Sequence, residues 1–182
     1  MAERIGVIAD DLTGATTVGV ILARSKARTQ VYFIANAALR EEKDLGLDAV
    51  VISTNSRPLP PPMAKGLVHD AMAALKKMGA VYFSKRTDTT MRGGVGYEID
   101  QMLEDLGDDA VAIVVPAMPE SRRILVGGYS VIDGVALVKT PAARDVRTPV
   151  RENYIPALLA ARASSLSTPS RSRMWMRLPR RA

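Results

Sequence analysis

The chain has 182 residues, 47% of them apolar and 24% charged, the balance of an ordinary globular protein with room for one sizeable domain. It has no cysteine, which excludes a disulfide framework, a thiolate metal site and a thiol nucleophile. Its net charge of +6 hints at nucleic acid, yet six arginines (162, 171, 173, 177, 180 and 181) fall in 162–182 and leave 19 basic against 19 acidic residues in 1–161. The body is neutral and only 4% aromatic. It offers no base-stacking platform, so nucleic acid is rejected as the partner of the folded part. No apolar run approaches the ~20 residues of a membrane helix, and the opening MAERIGVIADD lacks a signal-peptide layout. A cytoplasmic protein with no membrane partner is expected.

RIGVIAD (4–10) is a short apolar run rich in branched residues, which predicts a buried strand. DLTGATTVGVILARS turns to helical spacing, with Thr13 as the expected N-cap and Val18, Ile21 and Leu22 on one face. QVYFIAN (30–36) and DAVVIST (48–54) read as the second and third strands. A proline cluster at 58–62 interrupts the chain before the amphipathic helix MAKGLVHDAMAALKKMG, with Gly79 placed for a left-handed cap. AVYFSKR (80–86) is a fourth strand, GYEIDQMLEDLG a further helix, and the very apolar AVAIVVPAM (110–118) the expected central strand. Strands alternating with helices predict an α/β fold with a mostly parallel sheet flanked by helices.

After Pro119, ILVGGYSVIDGVALVKT offers short strand runs between glycine-bearing turns, a hairpin rather than another crossover. PVRENYIPALLAAR predicts a C-terminal helix with Pro149 near its first turn. The stretch from 162 to 182 lacks periodicity and is rich in serine, arginine and proline, the composition of a disordered basic tail. The domain expected to fold is therefore 1–161.

Ligands of open α/β sheets bind beyond the carboxyl ends of the strands, and three polar clusters fall there. In ADDLTGATT (9–17), Asp10 and Asp11 alternate in direction along an extended chain, so at most one is expected to face a ligand. The pair reads equally as a helix-capping acid and as a carboxylate that accepts hydroxyl protons or holds a metal. In STNSRP (53–58), Arg57 precedes proline and sits on an extended or turn segment, where its guanidinium could take a carboxylate or remain solvated. In YFSKRTDTTMRGGVGYEID (82–100), Lys85 and Asp88 close a strand, and Arg92 stands before Gly93, Gly94 and Gly96 at a helix start. No lysine followed by Ser or Thr completes a nucleotide-phosphate loop there. The combination points instead to a polyhydroxylated, anionic small molecule. His69, the one histidine, reads as a surface residue, and no metal site is expected around it. The methionines at 63, 72, 78, 91, 102 and 118 read mostly as core.

Taken in order, ADDLTGA (9–15), KRTDTTMRGGVGYE (85–98), PAMPESRRILVGGYSVIDGVAL (116–137) and TPAARDVRTPVREN (140–153) resemble the N-terminal substrate-binding domain of the four-carbon acid sugar kinase family. The resemblance covers about residues 4–160. It implies a kinase that phosphorylates tetronates such as threonate, erythronate or 3-oxo-tetronates, with ATP and Mg2+ serving the full-length enzyme. It also implies that Asp10 and Asp11 contact substrate hydroxyls as catalytic residues. Arg57 and Arg92 would then clamp the substrate carboxylate, and Lys85, Asp88 and Gly93 would complete the pocket.

The chain departs from the family pattern at Asn55, where an acid is common, at Thr89, Met91 and Gly94, and at Met118, Ser121 and Val146. Beyond residue 161 it resembles nothing in the family. It is therefore expected to be the truncated acceptor half of a kinase, one that binds its sugar acid without holding ATP or Mg2+ tightly. Self-association through the exposed interdomain face is expected with it. The alternative is a stand-alone module that binds or senses a small acid without catalysis.

Overall fold

A computed structural model of the chain describes residues 3–40, 46–163 and 174–175. It divides into two compact units, Met1–Thr87 and Asp88–Ala182, where the sequence reading expects one domain over 1–161.

The first unit is built on four parallel strands, β1 (Arg4–Ala9), β2 (Thr29–Tyr32), β3 (Ala49–Ser53) and β4 (Ala80–Arg86), in the order β2-β3-β1-β4. Helices α1 (Leu12–Arg24), α2 (Ala35–Leu39) and α3 (Pro61–Lys77) accompany them. Strands covered on both faces need apolar side chains at every position, and all five residues of β3 are buried. On one face Val7, Ala9 and Val51 pack with Ala15, Val18 and Leu22 of α1. On the other, Gly6 leaves room for Leu75 of α3, whose Cδ1 would lie 3.0 Å from an added Cβ.

The parallel sheet with flanking helices is the fold class that the alternating pattern predicts. Its details correct three expectations. The second strand stops at Tyr32, and Ala35 already begins α2. Asp11, not Thr13, is the N-cap of α1, its Oδ1 accepting from the Gly14 N–H at 2.7 Å. The proline cluster does not only break the chain, because Pro61 and Pro62 form the first turn of α3, where a proline has no helical partner to lose. Gly79 does take the left-handed conformation, at φ 80°.

The second unit contains α4 (Val95–Leu106) and β5 (Ala112–Ile113). An antiparallel meander of β6 (Arg123–Val126), β7 (Tyr129–Ile132) and β8 (Val135–Ala136) follows, then α5 (Ile155–Arg162). Its core gathers Met91, Val95 and Ile99 with Val114, Leu137, Val150, Ile155, Leu158 and Leu159. The run 110–118 is not a central strand. Only Ala112–Ile113 forms a ladder, parallel to β9 (Met174–Trp175), and the centre of the large sheet is β3 and β1. Ala112 and Val114 turn towards the core, whereas Val111, Ile113 and Val115 are 54%, 83% and 69% exposed. Apolar composition gives no warning that only one face of this run is covered, and Pro116 cannot donate to a ladder.

The C-terminal helix begins at Ile155, with Pro156 rather than Pro149 in its first turn. The Glu152 carboxylate accepts from the N–H groups of Asn153 and Tyr154, and Tyr154 bridges Tyr129. These contacts hold the segment extended for a further turn's length. Of the expected tail, Arg162 closes α5, Ala163 caps it and Met174–Trp175 is the strand just named, while 164–173 and 176–182 lie outside the described residues. His69 is exposed, and Met72, Met91 and Met102 are buried. Met63 and Met118 are not core residues, being 58% and 36% exposed.

Candidate functional site

Each unit carries one polar constellation. In the first, β1, β3 and β4 end flush, because Ala9 pairs with Ser53 on one side and Arg86 on the other. Two loops therefore leave the sheet side by side and are sewn together. The Ala9 carbonyl accepts from the Thr54 N–H at 2.9 Å and its hydroxyl at 3.0 Å, and the Asp10 carbonyl accepts from the Arg57 N–H at 3.2 Å. Thr54 and Ser56 share a hydroxyl hydrogen bond of 2.7 Å. Asn55 between them has φ 50°, a left-handed conformation that asparagine tolerates better than most residues.

This stitching delivers Arg57 to both acids. Its Nε and Nη2 donate to the two oxygens of Asp10 at 2.8 and 3.0 Å, and its Nη1 reaches Asp11 Oδ2 at 2.8 Å. Asp10 is 1% exposed, and the planar fork of arginine suits such a two-oxygen grip. The two acids were expected to diverge. They converge on one guanidinium because the strand has ended at Ala9, so strand alternation no longer governs them. A Cβ on Gly14 would lie 2.6 Å from Asp11 Oδ1, so a side chain there would have to displace the Asp11 carboxylate. Lys85 pairs with Ile8 across the ladder, and its Nζ donates to the Arg86 carbonyl at 3.3 Å. Arg86 donates to the Thr87 carbonyl.

The second constellation is a tight loop. Asp88 accepts from the Thr90 N–H at 3.1 Å, the Thr90 hydroxyl at 2.5 Å and Arg92 Nε at 2.6 Å, while its carbonyl takes the Met91 N–H at 2.8 Å. Met91 and Gly93 have φ of 56° and 81°, so the chain turns left-handed on both sides of Arg92. Arg92 Nη1 lies 3.5 Å from Asp145, whose other oxygen accepts from the N–H groups of Arg147 and Thr148. Arg123 donates to the Thr89 hydroxyl. Arg162 Nη1 donates to the carbonyls of Met91 at 2.5 Å and Gly93 at 2.7 Å.

Burial by itself would raise the Asp88 pKa, but the bonds from Arg92 and Thr90 outweigh it and hold the carboxyl below its ordinary value. The Thr148 amide, with lesser help from Arg147 and Arg92, likewise lowers Asp145. Burial pulls the Arg162 guanidinium down from its usual value.

Of the residues singled out from sequence, Asp10, Asp11 and Arg57 are brought together in the first unit, and Asp88, Arg92 and Gly93 in the second. Sequence reasoning missed Thr54, Thr90, Asp145 and Arg162. The Asp-x-Thr spacing of 88–90 is a turn signal that could have exposed Thr90. No local pattern announces Arg162, about 70 residues from the carbonyls it holds. Among the described residues, no three His, Cys, Asp or Glu side chains lie together so as to hold a metal ion, and no helix is long and apolar enough to cross a membrane.

The family model described as the sugar-binding N-terminal domain matches residues 5–171. A D-erythronate kinase from Heliobacterium modesticaldum is 41% identical over 161 residues, spanning 88% of this chain and 36% of that enzyme. A D-threonate kinase from Bordetella bronchiseptica is 35% identical over 156 residues, spanning 85% of this chain and 38% of the enzyme. Among solved structures, a domain-swapped dimer from Bordetella bronchiseptica with bound citrate matches with a TM-score of 0.82 at 34% identity, covering 86% of this chain and 39% of that one. The chain thus spans a little over a third of the length of the relatives it matches.

Proposed function

The chain belongs to the family of sugar-binding N-terminal domains, and from that premise we propose that it binds a four-carbon sugar acid, the phosphoryl acceptor of a tetronate kinase. The observation that carries this reading is the pair of carboxylates, Asp10 and Asp11, held by one guanidinium at the carboxyl ends of the strands. Two acids against one arginine leave the patch net negative, with oxygen lone pairs to spare. Such a patch accepts hydrogen bonds from vicinal hydroxyls. In catalysis one of the two carboxylates orients the attacking hydroxyl and takes its proton as the oxygen bonds to phosphorus and ADP departs. ATP with Mg2+ is the proposed phosphoryl donor of the whole enzyme.

Arg57 is committed to the two acids, so its proposed role shifts from clamping the substrate to fixing its hydroxyl acceptors. Lys85 supplies a cation of the first unit for the acid end. Asp88, Arg92 and Gly93 form the second proposed recognition set, to be tested separately. The citrate bound by the Bordetella relative, itself a hydroxylated carboxylate, supports a ligand of this chemistry.

Isothermal titration with erythronate, threonate and a 3-oxo-tetronate tests the reading. At least one acid should bind saturably, and D11N, at the more exposed of the two acids, should abolish that heat. Absence of binding by all three would overturn it. Self-association is proposed as well, supported by the exposed row of Val111, Ile113 and Val115 and by the dimeric relative. Light scattering should show a dimer, and a monomer at every concentration would refute it.

A further inference from the structure

We propose that Arg162 is a positioning residue for Arg92, acting through the backbone of the loop that carries it. The proposal rests on reading that loop as part of substrate recognition. Arg92 leaves the chain between two left-handed residues, Met91 and Gly93, and a single nitrogen of Arg162 holds the carbonyls of both. A guanidinium that grips the carbonyls of both flanking residues fixes the direction in which the side chain between them departs. Here the direction leads Arg92 Nε to Asp88 at 2.6 Å and to the Thr90 hydroxyl at 3.0 Å.

A second observation shows that Arg162 is itself held in place. Gly96, in the first turn of α4, would carry a Cβ only 2.7 Å from the Arg162 carbonyl carbon and the Leu159 carbonyl oxygen, and 2.9 Å from the Ala163 nitrogen. The start of α4 and the end of α5 therefore meet backbone to backbone, a contact that only glycine permits. Leu158 and Leu159 anchor that end of α5 in the core, so the guanidinium is presented to the loop by a fixed helix end. Losing it would leave two carbonyls without their charge-assisted donor and free the loop to swing Arg92 away.

Nitrogen-15 NMR of the arginine Nε–H groups tests this without any ligand. The Arg92 Nε–H, bonded to a carboxylate, should give a displaced, slowly exchanging signal. R162A should lose that signal, whereas the Arg57 Nε–H should stay unchanged as a control for the first unit, and the dispersed amide signals of α4 and the β6–β8 meander should persist as the control of folding in the second. Millimolar guanidinium should restore the Arg92 signal in R162A, and R162K should retain part of it. In titrations with the tetronate that the wild type binds, R162A should weaken affinity about tenfold, and it should add little to the loss caused by R92A.

An unchanged Arg92 signal in R162A, or full additivity of R162A and R92A, would overturn the proposal. If R162A does not fold, an R162K signal identical to wild type would overturn it, and a diminished one would support it. If no tetronate binds the wild type, the substrate reading fails, while the signal and its guanidinium rescue still decide whether Arg162 positions Arg92.

Discussion

Both units bury an aspartate and answer it with an arginine, but the arginines come from different distances along the chain. Asp10 meets Arg57, 47 residues away, and only because β1 and β3 lie side by side and end flush. Asp88 meets Arg92, four residues away, inside one turn that Thr90 also braces. The exposures follow the same division. The Arg57 side chain is 21% exposed above an almost fully buried Asp10, whereas that of Arg92 is 34% exposed. The first pair is a product of the sheet, and it should fail when the sheet fails. The second is a property of a short peptide fixed by its neighbours.

That contrast is open to direct attack. R57M should have the largest effect, since it strands a buried Asp10 without its guanidinium partner. Removing one member of a buried pair costs about 3–5 kcal/mol, read as a loss of unfolding free energy in urea. A cost similar to that of an exposed ion pair would break the distinction. R92M should cost less, about 1.5–3 kcal/mol, because Asp88 keeps its Thr90 donors and water reaches the site. Equal losses for the two variants would mean that sequence distance does not separate the pairs.

The acid limb sharpens the comparison further. The folded pKa of Asp88 lies below its ordinary value. A depressed carboxylate contributes stability that is complete above the unfolded pKa of about 3.9 and is lost as pH falls through the folded one. Wild type should therefore lose stability below about pH 4, and D88N should show a shallower decline there. Parallel acid limbs for the two proteins would remove Asp88 from the account.

Much of this was legible beforehand because it is local. The strand and helix boundaries of β3, β4 and α4 and the left-handed Gly79 follow from spacing, apolar period and backbone conformational preference, which neighbouring residues set. The motifs around Asp10 and Arg92 also pointed to polar sites. The role of Arg57 did not follow. Its sequence neighbours leave it equally a substrate clamp or a solvated side chain. Likewise, nothing in AVAIVVPAM distinguishes a strand buried on two faces from one covered on a single face.

By itself, then, the amino-acid order determined the α/β alternation, the places where polar loops interrupt it and the chemistry those loops carry. Only the tertiary structure decided which distant charges meet. It joined Asp10 and Asp11 to Arg57 through the flush strand ends, and it joined the loop around Arg92 to Arg162 through the close contact at Gly96. The physical reason is that backbone preference is summed over neighbours, whereas an ion pair between distant segments forms only where packing brings them within about 3 Å of each other.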